Sequence, residues 1–128
     1  MDLQTSAFDF VIDPMLVDDV IPLCEIAKNL EEAGEFERAA ETLSAFWSGL
    51  LNRPKTQGLN EEAKAELLLR TGTLTGWLGS AKQVSGAQEA AKDLISESIA
   101  IFEKLNEPEK AAEGRVDIAI CYWREGSV

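Results

Sequence analysis

Residues 26–34 read IAKNLEEAG and residues 118–126 read IAICYWREG, and the two stretches share one pattern. In each, a large apolar residue precedes Ala, a second large residue follows three positions after the Ala, and Gly comes seven positions after it. Side chains three to four residues apart lie on one face of an α-helix, Ala lets a neighbouring helix approach, and Gly ends the helix in a left-handed conformation. A recurring helix and stop signal predicts an array of helical repeats.

The apolar residues elsewhere in the chain keep the same spacing of three and four, so we predict an all-α protein with no sheet. Residues 1–18 are expected to be an apolar lead-in segment that covers the first repeat, and residues 19–128 a helical repeat domain. Five main helices are predicted, with the clearest linker at residues 52–60: 19–34, 35–51, 61–79, 82 or 87 to 105, and 109–125.

Three local features of these helices can be checked in a structure. The second helix should present Ala39, Leu43, Phe46 and Leu50 on one face, and Asn60 should cap the third. Gly72 and Gly76 lie inside the third helix, where each costs about 1 kcal/mol relative to Ala. We expect close approach of another helix there, and contact of the bare backbone with a ligand is the alternative.

Length and composition limit the class of protein. The chain has 128 residues, 45% of them hydrophobic, which suits one packed domain. It contains no run of about 20 apolar residues, and its amino terminus is acidic where a secretion signal would be basic, so we predict a cytoplasmic protein that neither spans nor binds a membrane. There is no histidine, and Cys24 and Cys121 are far apart, so no disulfide framework, metal site or cofactor is predicted. Both cysteines are expected to be buried.

The charge is strongly acidic and unevenly distributed. A net charge of -11 argues against nucleic acid as a partner, because a nucleic-acid binder needs clustered Lys and Arg. Residues 1–51 hold eleven acids against two bases, a net of -9, whereas the remainder has twelve acids against ten bases. This acidic third is either a solvated helix surface or a docking face for a basic partner.

The first helix pair resembles one tetratricopeptide repeat. Its residues follow the family's order of large, small and large side chains, then Gly, an aromatic residue and Ala: Leu23, Ile26, Ala27, Leu30, Gly34, Phe36, Ala39 and Leu43. Residues 98–126 look like the junction of two further repeats, and an insertion of seven residues follows Gly79. The resemblance implies antiparallel helix pairs stacked as a right-handed superhelix of about two and a half repeats, in a chain that is part of a longer bacterial-type protein.

In such an array the first helix of each pair lines the inner groove. The residues expected there come from three helices: Cys24, Lys28, Glu31 and Glu32, then Glu66, Leu69, Thr73, Gly76 and Trp77, and finally Val116, Ile120, Trp123 and Arg124. Family members that clamp chaperone carboxylates have Lys and Asn where this chain has Cys24 and Lys28, so that ligand is not expected. Trp77 and Trp123 either anchor a partner's side chain or belong to the core.

Three functions remain open. The first is a scaffold that binds a peptide or helix of a partner protein in the groove, the second a regulatory domain that senses a ligand or peptide, and the third a self-association module. The last helix is apolar on most sides, which predicts either a homodimer through this helix or a truncated repeat. No enzyme is predicted, because without histidine no Ser or Cys is paired with an evident base.

Overall fold

The computed structural model describes residues 14–126, so residues 1–13 of the lead-in predicted for residues 1–18 lie outside the described part of the chain. Pro14–Asp19 form a 3-10 helix that leads directly into the first α-helix. Five α-helices follow, which we number in chain order: α1 Val20–Glu32, α2 Phe36–Thr42, α3 Glu61–Ala81, α4 Ala87–Lys104 and α5 Pro108–Arg124. Residues 14–126 contain no strand, and neighbouring helices pack together, which confirms the all-α prediction.

The predicted stop at Gly34 is confirmed by the backbone. Gly34 has φ +80°, and the N–H of Glu35 donates to the carbonyl of Leu30 over 2.8 Å, so the carbonyls of the last turn of α1 are satisfied. Gly126 ends α5 with φ +76°. Asn106 takes the same left-handed conformation after α4, where the N–H of Glu107 donates to Phe102. Helices α1, α4 and α5 are therefore each followed by a residue in the left-handed conformation.

The second helix is much shorter than predicted. It ends at Thr42 instead of about residue 51, and the chain continues through tight turns in which the N–H of Phe46 donates to Leu43. Phe46 and Trp47 are both buried in the core. Both residues follow the end of the helix, and so does Leu50. The expected position of Leu50 on the helix face is therefore wrong.

Helix α3 is the centre of the molecule. It starts as predicted, since Asn60 Oδ1 accepts from the N–H of Ala63 over 2.8 Å. Leu67 and Leu74 belong to a core shared with α1 and α2, whereas Leu68 and Leu69 belong to a second core shared with α4 and α5. The helix is consequently buried on most sides.

Helix α3 contains three glycines, and the two singled out from the sequence, Gly72 and Gly76, mark close approaches of residues from neighbouring helices. A Cβ atom on Gly72 would lie 2.7 Å from Cγ1 of Ile95 and 3.3 Å from the carbonyl oxygen of Ala91 on α4. A Cβ atom on Gly76 would lie 2.7 Å from Nη1 of Arg124 on α5. The neighbours differ in mobility, because Ile95 is fully buried and the Arg124 guanidinium ends a flexible side chain.

Gly72→Ala and Gly76→Ala should therefore differ in stability. We expect Gly72→Ala to lower the free energy of unfolding by up to about 2 kcal/mol, since overpacking costs about 1–3 kcal/mol and the gain in helix propensity is only about 1 kcal/mol. Gly76→Ala should stay within about 0.5 kcal/mol of the wild type, because Arg124 can move away and the propensity gain offsets its lost contacts. Urea denaturation measures both values, and equal destabilisation would contradict this account.

The two copies of the opening motif share their helix stop but not their burial. Ala27 is fully buried, as expected of a residue against which another helix packs, whereas Ala119 is exposed. Helix α5 packs on α4 through Ala111, Gly114 and Cys121 instead. The prediction that a helix approaches at Ala119 is therefore wrong within the described residues. Both cysteines are buried and free, as predicted.

Candidate functional site

A cavity of about 230 Å³ lies where α1, α3 and α5 meet. Six of the residues predicted to face the groove line it: Lys28, Glu31, Glu32, Thr73, Trp77 and Ile120. They come from three helices that are far apart in sequence, at spacings of three or four on α1 and α3. The structure therefore brings six of the thirteen predicted groove residues together around one concave site.

The other predicted groove residues lie elsewhere. Cys24 is buried in the core that α3 shares with α1 and α2, and Leu69 is buried in the core that α3 shares with α4 and α5. Glu66 pairs with Lys110 over 2.8 Å. Val116 and Trp123 are 60% and 68% exposed and do not line the cavity. The cavity thus includes fewer of the predicted groove residues than expected, and Trp123 is not among them.

Arg70 forms the floor of the cavity and is only 3% exposed. Its Nη1 donates to Glu31 Oε1 on α1 and its Nη2 donates to Glu113 Oε2 on α5, each over 2.6 Å. Lys28 Nζ lies 3.3 Å from the other oxygen of Glu113. A buried guanidinium requires such pairing to offset its lost hydration, so Arg70 ties three helices together at this point.

Glu31 is the least satisfied group of the site. Its side chain is 8% exposed, and its Oε2 accepts no hydrogen bond from any group in residues 14–126. Burial raises the pKa of Glu31 to about 7, an effect that the charge of Arg70 opposes without cancelling. Burial also raises the pKa of Asp117, although Thr73 Oγ1 donates to its Oδ2 over 2.9 Å.

The aromatic wall of the cavity consists of Phe36 and Trp77. Their ring centroids are 4.8 Å apart and the planes differ by 14°, so the rings are stacked. The Arg124 guanidinium lies 4.6 Å from the Trp77 ring and donates to Oε1 of Gln88, whose Nε2 donates to the carbonyl of Gly76. The expected groove residue Arg124 is therefore adjacent to the cavity and supports Trp77, which remains 41% exposed.

Sequence reasoning missed four residues of the cavity lining, namely Phe36, Arg70, Glu113 and Asp117. Arg70 interrupts an apolar run, but it is three residues before Thr73 and seven before Trp77, which is the spacing of one helix face. Glu113 and Asp117 precede Ile120 by seven and three residues. Extending the predicted faces by one turn could have found all three.

When its titratable side chains are ionised, the lining of the cavity carries a net negative charge. Its lining holds the four carboxylates of Glu31, Glu32, Glu113 and Asp117, against the two cations of Lys28 and Arg70. Such a lining disfavours carboxylate or phosphate ligands and favours hydrogen-bond donors and cations. Residues 14–126 hold no cluster of three or more His, Cys, Asp or Glu side chains that could bind a metal ion.

Comparison with protein-family models, with curated proteins and with solved structures finds no match. The resemblance to tetratricopeptide repeats therefore stays a prediction based on residue spacing. Within residues 14–126, no helix has both the length and the apolar character needed to cross a bilayer.

Glu31 should make stability depend on pH. Because its pKa rises from 4.5 to about 7 on folding, the folded state holds a proton that the unfolded state releases, so the free energy of unfolding should fall as pH rises from about 4.5 to about 7. The slope from one such group is at most about 1.4 kcal/mol per pH unit. Urea denaturation across this range should show a flatter profile for Glu31→Gln.

Glu41→Gln, on the exposed surface just before the end of α2, is the matched control and should keep the wild-type slope. A Glu31→Gln profile as steep as that of the wild type would show that Glu31 titrates normally in the folded protein.

Proposed function

We propose that this chain is a protein-interaction scaffold that binds a peptide or helix of a partner protein in the cavity between α1, α3 and α5. The observation that supports the proposal is the meeting of an aromatic wall and a buried ionic floor in one concave site built from separate helices. Ligand sites generally combine such apolar surface with a few fixed polar groups.

The size of the cavity favours a side chain over a whole small-molecule ligand. Pockets for drug-sized ligands are typically about 300–1,000 Å³, and this cavity holds about 230 Å³. One anchoring side chain with its flanking backbone at the rim suits that volume. The size thus supports a scaffold over the alternative of a small-molecule sensor.

We propose that the helices are arranged as in tetratricopeptide repeats. We also propose that the protein is cytoplasmic and that it is not an enzyme. The left-handed stops at Gly34 and Gly126 support the repeat, while the short α2 departs from it. Burial raises the pKa of Cys24 to about 12 and that of Cys121 as well, so neither thiol would be an active nucleophile. Free buried thiols are compatible with a reducing compartment.

Selection from a random peptide library, followed by affinity measurement, tests the scaffold. Trp77→Ala should weaken a selected peptide by roughly 30-fold, because desolvated aromatic side chains at interface centres contribute about 2 kcal/mol or more. Trp123→Ala, Glu35→Gln and Glu41→Gln should change the affinity little, since none of these residues lines the cavity.

Each variant must first show wild-type helicity and melting. Should Trp77→Ala fail to fold, Ile120→Ala tests the cavity from α5. Loss of affinity in the two acid variants alone would move the site to the acidic outer surface and favour docking of a basic partner there.

Self-association is a second candidate function, supported by the exposed face of α5. Val116, Tyr122 and Trp123 are all exposed large side chains on this last helix. A contiguous apolar patch of this kind often marks a protein interface. The expected partner is then a second copy of the chain, which would cover the face in a homodimer.

Sedimentation velocity at increasing protein concentration distinguishes this second candidate. A dimer should appear in the wild type and be lost in Trp123→Glu, because a carboxylate in an apolar interface is costly to desolvate. Trp77→Glu, which changes the cavity lining and not the exposed side chains of α5, is the matched control and should still dimerise. A wild type that stays monomeric throughout would exclude the homodimer.

A further inference from the structure

We infer that the cavity receives a positively charged side chain of the bound peptide, an arginine or lysine, and that Glu31 on α1 is its principal acceptor. This inference rests on the proposed function, because it names the chemistry of the residue that anchors the peptide. It follows from three observations on the cavity, concerning hydrogen-bond acceptors, charge and the aromatic wall.

The first observation is the unpartnered oxygen of Glu31. Oε1 of Glu31 accepts from Arg70, but its Oε2 has no partner among residues 14–126, although the side chain is more than nine-tenths buried. A buried acceptor without a donor carries the cost of its lost hydration. A ligand that brings N–H groups to Glu31 removes this cost, whereas a ligand that brings only acceptors leaves it.

The second observation is the imbalance of charge. Arg70 is shared between Glu31 and Glu113, and Lys28 lies beside the remaining oxygen of Glu113. These two cations leave two of the four carboxylates of the lining without a compensating charge, and Glu32 and Asp117 are both present at the cavity. An incoming cation therefore lowers the repulsion among the carboxylates, and an incoming anion raises it.

The third observation is the wall formed by Phe36 and Trp77. Phe36 stacks on the Trp77 ring and the Arg124 guanidinium lies 4.6 Å from the same ring, so the faces of Trp77 are already covered. A guanidinium is planar and carries five N–H donors, so an incoming one can lie along the edge of this wall while it donates to the carboxylates. We therefore expect Arg to be preferred over Lys.

Proton release should accompany binding. The charged groups around Glu31 are Arg70 on α3, Glu113 and Asp117 on α5, and Lys28 and Glu32 on α1 itself, while α2 contributes Phe36 to the lining. Burial raises the pKa of Glu31 to about 7, and a bound cation stabilises the carboxylate and lowers that pKa. The affinity for a cation should accordingly increase as pH rises through about 7.

The test uses small probes that do not depend on finding the partner. The folded chain is titrated with N-acetyl-arginine amide, with its neutral analogue N-acetyl-citrulline amide and with N-acetyl-glutamate amide, and the carboxyl of Glu31 and the indole N–H of Trp77 are followed by NMR. We expect the arginine probe to shift both signals and to bind about tenfold or more tightly than the citrulline probe, since charge-assisted hydrogen bonds are the stronger ones.

Two substitutions should change arginine binding in opposite directions. Glu31→Gln should weaken it by about tenfold, with Glu41→Gln as the unaffected control, whereas Lys28→Met should strengthen it because it removes a like charge from the lining. A short arginine-containing peptide should bind more tightly than n-butylguanidinium, as flanking contacts add to the anchor. Equal affinity of the two would assign the cavity to a free small cation instead of a peptide.

Citrulline binding as tight as arginine binding, or an arginine shift that persists unchanged in Glu31→Gln, would overturn the inference. The proposed scaffold would survive that result if library peptides lacking Arg and Lys still required Trp77. Conversely, if arginine binds at Glu31 but no library peptide depends on Trp77 for binding, the inferred cation site is supported and the proposed scaffold function is contradicted.

Discussion

The buried guanidinium of Arg70 is the constraint on which the arrangement of the helices around the cavity depends. It lies on α3, the helix common to both cores, and it is almost inaccessible to water. Because a buried charge needs a counter-charge, α1 must supply Glu31 and α5 must supply Glu113 within hydrogen-bond distance. Removing one partner leaves a buried charge poorly compensated, so this cluster fixes the relative positions of three helices.

The same cluster of Arg70, Glu31 and Glu113 explains why the cavity offers free hydrogen-bond acceptors. Arg70 satisfies one oxygen of Glu31 and one of Glu113, which is fewer acceptors than the lining provides. Burial then raises the pKa of Glu31 and of Asp117, because water cannot reach them freely. The ion pairs of Arg70 and the carboxylate oxygens that remain free to accept hydrogen bonds therefore lie in the same cavity. The three helices that these ion pairs connect also form the walls of that cavity.

Close packing around α3 depends on small residues. Gly72 lets α4 bring Ile95 against the helix, and Gly76 gives the Arg124 guanidinium access to Trp77. Two glycines four residues apart thus have different effects, one on the core between α3 and α4 and one on the aromatic wall of the cavity. Helix propensity alone would treat both as equally unfavourable.

The sequence by itself determined the five helices and most of their ends, because the spacing of apolar residues, the cap at Asn60 and the left-handed Gly34 and Gly126 act within a few residues. Helical spacing in the sequence also identified six of the residues that line the cavity. Tertiary structure decided that Ala27 is buried and Ala119 exposed, that α2 stops at Thr42, and that Phe46 and Trp47 reach the core from the turns after it. Only the folded chain joins Arg70 to Glu31 and Glu113. Helical periodicity specifies which residues share a face, but it does not specify which face meets a distant helix. That choice depends on burial and charge pairing between segments about 40 residues apart.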